Sequence, residues 1–424
     1  MSPRPSEEEI FMVNLVLLVS ASLSADPIQA VLINQTDNIN RETWSLTSMD
    51  AGSSSKTPWK ISKTRLHGGK QEGVDVVEID NGRLRIVVVP TRGMGIWSVH
   101  DGDVRIGWDS PVKEIVHPSF VSLPSRGGLG WLEGFGEFLC RCGLENNGHP
   151  GKDTIKDNTG AESSTDLTLH GKQANLPAER VEISIDRDAP HSITLRGIVP
   201  ERMMHGPKFR LETEITTEPG SRSFRIKDRI VNESASPAEY QILYHTNFGS
   251  PLLEEGSVCL APAKKVTPFN DRAAEGDVKQ YAIFAGPTAG FVEQVFCIES
   301  YADEKGTTVA ALVNKAKNRA VSIAYQTAHL PYLTLWKNTT SIEDGYVTGI
   351  EPGTNYPYNR NLERRAGRVP KLAGKESKEI QLEFTIHSGE KEVRQLTSQV
   401  AAIQANRPCE VATRPNPPKA EPEK

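Results

Sequence analysis

The sequence predicts an all-β fold, most simply one large antiparallel β-sandwich. Three observations carry the prediction. Short runs that alternate apolar and polar residues recur along most of the chain, 34 Gly and 28 Pro supply many turns, and no long stretch holds a helical period. At 424 residues the chain is long for one core, but all-β units of ~200–250 residues and beyond form single domains. A net charge of −5 without a long basic run argues against a nucleic-acid surface.

Residues 1–25 hold an apolar run, Ile10 to Ala21, followed by small residues and Asp26-Pro27. Its length suits a signal peptide and is too short for a membrane span, whereas Glu7-Glu8-Glu9 gives the preceding segment the wrong charge for export. The expected location is periplasmic or secreted if that leader works, and cytoplasmic otherwise. Residues 26–63 read as a polar arm that packs loosely or adds an edge strand.

The main domain is expected over 64–390. Val74 to Ile79 and Leu84 to Pro90 form a hairpin across Asp80-Asn81-Gly82. Two glycines in Gly93-Met94-Gly95 mark a bend or bulge. From Gly107 to Gly148 the chain is rich in glycine and aromatic residues without a period, a structured loop over a sheet where binding residues collect. Strand patterning returns at 180–185 and 191–199 and is clearest at 209–215 and 223–230, an antiparallel meander with one wet face. It continues at 307–313, 320–325, 332–336 and 379–386. Residues 391–424 form a C-terminal tail, Pro- and Lys/Glu-rich from Arg407 and expected to be disordered toward its end.

Five cysteines, an odd number, imply no disulfide framework, and Cys140-Arg141-Cys142 lacks the second spaced pair a zinc site needs. The chemistry points elsewhere. His245 follows the strand-like run Glu239 to Tyr244 and precedes Gly249 and Pro251, so it is expected at a strand end facing a cleft. His170 lies in Leu169-His170-Gly171, and Glu351 stands between an apolar approach and the turn Pro352-Gly353. A carboxylate facing a histidine is a minimal kit for moving protons on a neutral substrate, each group contributing ~10²–10⁴-fold when its pKa suits the working pH.

The order Leu169-His170-Gly171, then Leu243 to Leu253 with His245 and Asn247-Phe248-Gly249, then Glu351-Pro352 resembles the aldose 1-epimerase, or galactose mutarotase-like, superfamily. Within it the chain is most similar to a branch described as a domain of unknown function. Gly134-Phe135-Gly136-Glu137-Phe138 with Arg141-Cys142-Gly143-Leu144, and Gly349 to Pro357 leading to Asn359 to Arg364, are the most specific pieces, and the likeness spans Gly68 to Ile386. The resemblance implies a galactose mutarotase-like supersandwich. It further implies a cofactor-free sugar isomerase in which Glu351 takes the anomeric proton, His245 protonates the ring oxygen and His170 binds the sugar.

Arg92, Trp336, Asn355 and Arg360 are further candidates for holding a small-molecule sugar. Two departures stand out: Tyr244 occupies a position where typical mutarotases have Asn, and Asp271 is a poor match for their substrate-binding aspartate. The alternatives are a non-catalytic carbohydrate-binding protein, a metal enzyme using His67, His149, His170 and His245, and a polysaccharide lyase, for which no helical half is visible. The sugar and the oligomeric state stay open.

Overall fold

A computed structural model describes residues 26–418, so the proposed leader and the last six residues lie outside the described part. Two large sheets dominate. One has ten strands in the order Val258–Leu260, Thr307–Val313, Arg319–Gln326, Ser377–Ser388, Ser223–Asn232, Lys208–Thr217, Ile193–Arg202, Arg180–Ile185, Ile28–Asn34, Ile39–Asn40. The other has thirteen. At its centre Tyr332–Asn338, Val347–Gly353, Gln241–Phe248 and Leu139–Leu144 lie side by side, with Gly95–Asp101 and the Asp75–Asp80/Leu84–Val89 hairpin beyond them. Their neighbouring ladders are antiparallel; the short Glu410–Val411 strand pairs in parallel with Ala263–Pro268.

Alternation decides which side chains enter the core. In Lys208–Thr217, Phe209, Leu211, Thr213 and Ile215 are buried and the residues between them are part-exposed, which is the wet-faced meander the sequence predicts. Opposite them, Ile86, Ile96, Leu139, Ile242 and Ile350 of the second sheet join the same continuous core. Phe138 closes against Phe384 of the facing sheet with ring centroids 5.9 Å apart. The sandwich expected from sequence is the fold observed.

The arm at 26–63 supplies strands to both sheets: Ile28–Asn34 pairs with Arg180–Ile185, and Thr43–Thr47 with Lys60–Arg65. At the predicted hairpin turn, Asn81 accepts from the backbone of Arg83 and Leu84 and donates to Thr217 at the end of a strand of the opposite sheet and to the carbonyls of Glu218 and Ser221 in the turn that follows it.

The expectation that no long helix forms is corrected. Glu390–Gln404 is a 15-residue helix whose Val393, Leu396, Val400 and Ile403 pack on Val309, Ala311 and Val313. The same strand sends Ala310 and Leu312 into the inter-sheet core, so Thr307–Val313 is covered on both faces. Beyond the helix, Arg407 stacks 3.9 Å from the Tyr301 ring centroid and Tyr301 donates to the Pro408 carbonyl. That stretch of the tail is packed rather than disordered. Among the described residues no helix is long and apolar enough to cross a membrane.

Candidate active site

Along Gln241–Phe248, Ile242, Tyr244 and Phe248 face the inter-sheet core, while Leu243 joins a smaller apolar cluster on the opposite face with Trp131, Phe135, Cys140 and Cys142. His245 shares that second face. The strand was expected to end at Tyr244 but continues to Phe248, so His245 sits inside a central strand held by ladders on both sides. The pairs Leu243↔Gly353 and Thr246↔Ile350 set His245 opposite Glu351, and Glu351 in turn pairs with Thr334. Three adjacent strands thus carry a histidine, a glutamate and a threonine in one row.

His245 Nε2 stands 3.3 Å from Glu351 Oε1, and the two residues are only 4% and 2% exposed. Oε1 has no hydrogen-bond partner among the described residues. The other ring nitrogen, Nδ1, is 2.7 Å from Asn247 Oδ1. Asn247 donates its amide nitrogen to the carbonyls of Glu137 and His245, so its oxygen faces the ring and can only accept. Nδ1 therefore carries the proton, and Nε2 is left toward Glu351. Burial holds the Glu351 carboxyl well above the usual carboxylate range. Burial, with His170 close by, holds the His245 imidazole well below its ordinary value. Both shifts favour the uncharged forms of the two groups.

His170 completes the group. Its ring lies 5.1 Å from that of His245, and its Nδ1 donates to the Asn147 carbonyl at 2.8 Å, leaving Nε2 as an acceptor. Burial pushes its pKa down to about 4. A cavity of about 240 Å³ is lined by His245, Glu351, His170 and Thr334. Trp131, Phe135 and Trp336 supply much of its apolar wall. The first two are brought there by the glycine- and aromatic-rich loop, whose Gly130 could carry no side chain because a Cβ would fall 1.7 Å from the Ser122 carbonyl oxygen.

The family model for a domain of unknown function, DUF4432, matches residues 71–386. The chain belongs to the DUF4432 family. A Klebsiella pneumoniae subsp. pneumoniae MGH 78578 protein of known crystal structure, provisionally named an aldose 1-epimerase, is 40% identical to it. That match covers 93% of this chain and 100% of the other, with a TM-score of 0.87. A galactose mutarotase-like protein from Clostridium acetobutylicum shares the fold at 16% identity, covering 77% and 98% of the two chains with a TM-score of 0.53. A galactose mutarotase related enzyme from Lactobacillus acidophilus does so at 15% identity, with 75% and 99% covered and a TM-score of 0.50. A search of curated proteins finds no match. The DUF4432 chain is thus a member of the galactose mutarotase-like superfamily, as its motifs imply.

Of the seven site residues expected from sequence, the structure brings four to this cavity: His245, Glu351, His170 and Trp336. Three are placed elsewhere. Arg92 is fully buried and engaged with Glu137, the Val116 carbonyl and Asn175. Asn355 exchanges amide hydrogen bonds with Asn147 at 2.8 and 3.1 Å, and so acts on the residue that holds His170 rather than on a ligand. Arg360 pairs with Glu239 and lines a different and larger cavity of about 1100 Å³ that contains neither His245 nor Glu351. The charges there, among them Arg364 with Asp153 and Glu239, largely pair with one another.

Tyr244 points away from the cavity and donates to Asp228 at 2.9 Å in the inter-sheet core, so its departure from the usual Asn does not alter the cavity wall. Asp271 is exposed and absent from the lining; the carboxylate that reaches the cavity from the chain between His245 and Glu351 is Glu293. Glu293 and Thr334 were missed, and a single sequence offers no motif for either. Trp131, Phe135 and His149 fall in or beside the loop region singled out on composition. His67 is on the surface beside Glu72, apart from His149, His170 and His245. Among the described residues no three His, Cys, Asp or Glu side chains converge as a metal-ligand group.

Proposed function

We propose that this DUF4432 protein is a sugar isomerase of the aldose 1-epimerase type, interconverting the anomers of a free monosaccharide by general acid/base ring opening. The observation that carries the reading is the buried His245–Glu351 pair, 3.3 Å apart beside a ring-sized cavity. With the proton on Nε2, the Glu351 carboxylate takes the proton of the anomeric hydroxyl. The bond from the anomeric carbon to the ring oxygen breaks, its electrons go to that oxygen, and His245 protonates it. Rotation of the aldehyde carbon and the reverse transfers close the other anomer and restore both groups.

Burial favours the uncharged resting pair, and a shift of its single proton from Glu351 to Nε2 reaches the reactive state without changing net charge. That same preference favours a second reading, a carbohydrate-binding protein whose site never ionises. Saturation-transfer NMR of anomer exchange decides between them, using wild type, Glu351→Gln and His245→Ala, each checked for folding by circular dichroism, with and without a chelator. Acceleration abolished in both variants and indifferent to chelator supports the isomerase. Binding of a sugar without any acceleration over buffer overturns it in favour of the binding protein.

A further inference from the structure

We infer that the cavity of about 1100 Å³ beside the helix Arg360–Arg365 is a second ligand site, separate from the acid/base pair, for a small molecule that carries a phosphate or carboxylate group. Cations there outnumber their partners. Glu239 takes Arg360 at 3.1 Å, Arg364 at 2.8 Å and Lys371 at 3.5 Å, while Glu145 faces Lys172 and Arg360 at 3.8 and 3.9 Å. Asp153 adds one more carboxylate, bound by Arg364. Arg365 and Lys156 line the same cavity, exposed and without an acidic partner among the described residues. Of the remaining acids in the wall, Asp166 is taken by Lys152 at 2.9 Å, which leaves only Glu162 to oppose them. The decisive group is Arg360, 8% exposed. Of its five N–H donors one makes a hydrogen bond among the described residues, from Nη2 to Glu239. Nε stands 3.7 Å from Asp153 and Nη1 3.9 Å from Glu145, both beyond hydrogen-bond reach. A buried guanidinium with unused donors on a cavity wall suits the paired oxygens of a carboxylate or phosphate. Leu167, Met203, Phe209 and Pro237 supply apolar surface for the rest of such a molecule.

The same backbone serves both cavities. Glu145 and Asn146 line the larger one, and Asn147, next in the chain, holds His170 Nδ1 through its carbonyl. Thr168 and Lys172 line it on either side of Leu169 and His170, which line the smaller. Asn146 ties the two segments by donating to the Thr168 carbonyl at 2.8 Å. Between them the chain runs through the hairpin Gly151–Lys156 and Glu162–Leu167, a separate two-stranded sheet that pairs with neither large one. Such a hairpin has little stability of its own. An anion bridging Lys156 of the hairpin and Arg360 and Arg365 of the helix orders it, and so bears on the segments that hold His170.

Inorganic pyrophosphate and citrate, one probe for each anion class, are titrated calorimetrically into the full chain at an ionic strength held by sodium chloride. At least one is expected to bind with a Kd of about 1 mM or tighter. Arg360→Gln should weaken it about tenfold or more, and Lys156→Gln with Arg365→Gln several-fold. Glu239 keeps Arg364 and Lys371 when Arg360 is replaced, and circular dichroism checks the fold. Glu351→Gln should leave the affinity unchanged. The probe that binds identifies the anion class. Failure of both to bind at ~10 mM overturns the site, as does binding indifferent to the Arg360, Lys156 and Arg365 variants, or binding lost in Glu351→Gln. Bound anion is also expected to slow amide exchange over residues 151–167 and to move the His170 ring signals in NMR. Binding that leaves those signals in place would overturn the link to His170.

Discussion

Glu351 owes its place to an absence of atoms at Gly349, where a Cβ would lie 2.1 Å from Glu351 Oε1 and 3.2 Å from the Trp336 ring. Gly349→Ala is therefore expected to displace the carboxyl by a fraction of its own length. Anomer exchange should fall by roughly 10²-fold while the circular dichroism spectrum stays unchanged. An exchange rate within a few-fold of wild type would show that the carboxyl's position is not critical. His170 supplies a stability prediction. Its pKa is about 4 in the folded protein against 6.5 unperturbed, so the folded state favours the neutral ring. The associated stability is fully present above pH 6.5 and is lost as pH falls toward about 4, an effect of ~3 kcal/mol. Urea denaturation at about pH 7 and about pH 4.5 should show His170→Gln losing less stability across the interval than wild type; equal losses would contradict it. At this scale the sequence was informative where a motif surrounds the residue, as for His170, His245 and Glu351. It was not for Arg92, Asn355 and Arg360, because whether a polar side chain meets a ligand or a buried partner depends on residues far away in the chain.

Among elements, the Glu390–Gln404 helix shows a signal that was present and overlooked. Val393, Leu396, Val400 and Ile403 recur at helical spacing, but they are four apolar positions in an otherwise polar segment that follows many strands. Its stability comes from the sheet face it covers. Leu396→Ala, at a residue 2% exposed, should cost about 2–5 kcal/mol in chemical denaturation, and should leave anomer exchange at temperatures below the transition unaffected. A cost below about 1 kcal/mol would mean that the helix adds little to the core beneath it. The His245 strand teaches the converse. Turn residues Gly249 and Pro251 were legible, yet the strand runs on to Phe248 because Leu139–Leu144 and Val347–Gly353 pair with it on either side. Such pairing overrides local propensity.

For the whole molecule, the two sheets are joined by a buried ion pair as well as by apolar packing. Arg141, from the strand beside His245, donates to Asp228 on the facing sheet, and Thr213, Tyr244 and the Met94 carbonyl complete the network. Asp228→Ala leaves a guanidinium buried without its counter-charge and is expected to destabilise the fold by about 3–5 kcal/mol. A thermal midpoint within a degree or two of wild type would refute that. Arg141 stood in a motif visible in the sequence, but nothing local connects it to Asp228, 87 residues away. The sequence by itself determined the all-β class, most strand positions, the sandwich and three of the residues that meet at the cavity, His170, His245 and Glu351, because alternation, turn chemistry and short motifs are local properties of the chain. Only the tertiary structure decided that His245 faces Glu351 across a ladder, that Glu293, Thr334, Trp131 and Phe135 share their cavity, and that no Lys or Arg among the described residues does. Register, burial and charge pairing arise between segments distant in sequence, and a cavity's character is the sum of those distant encounters.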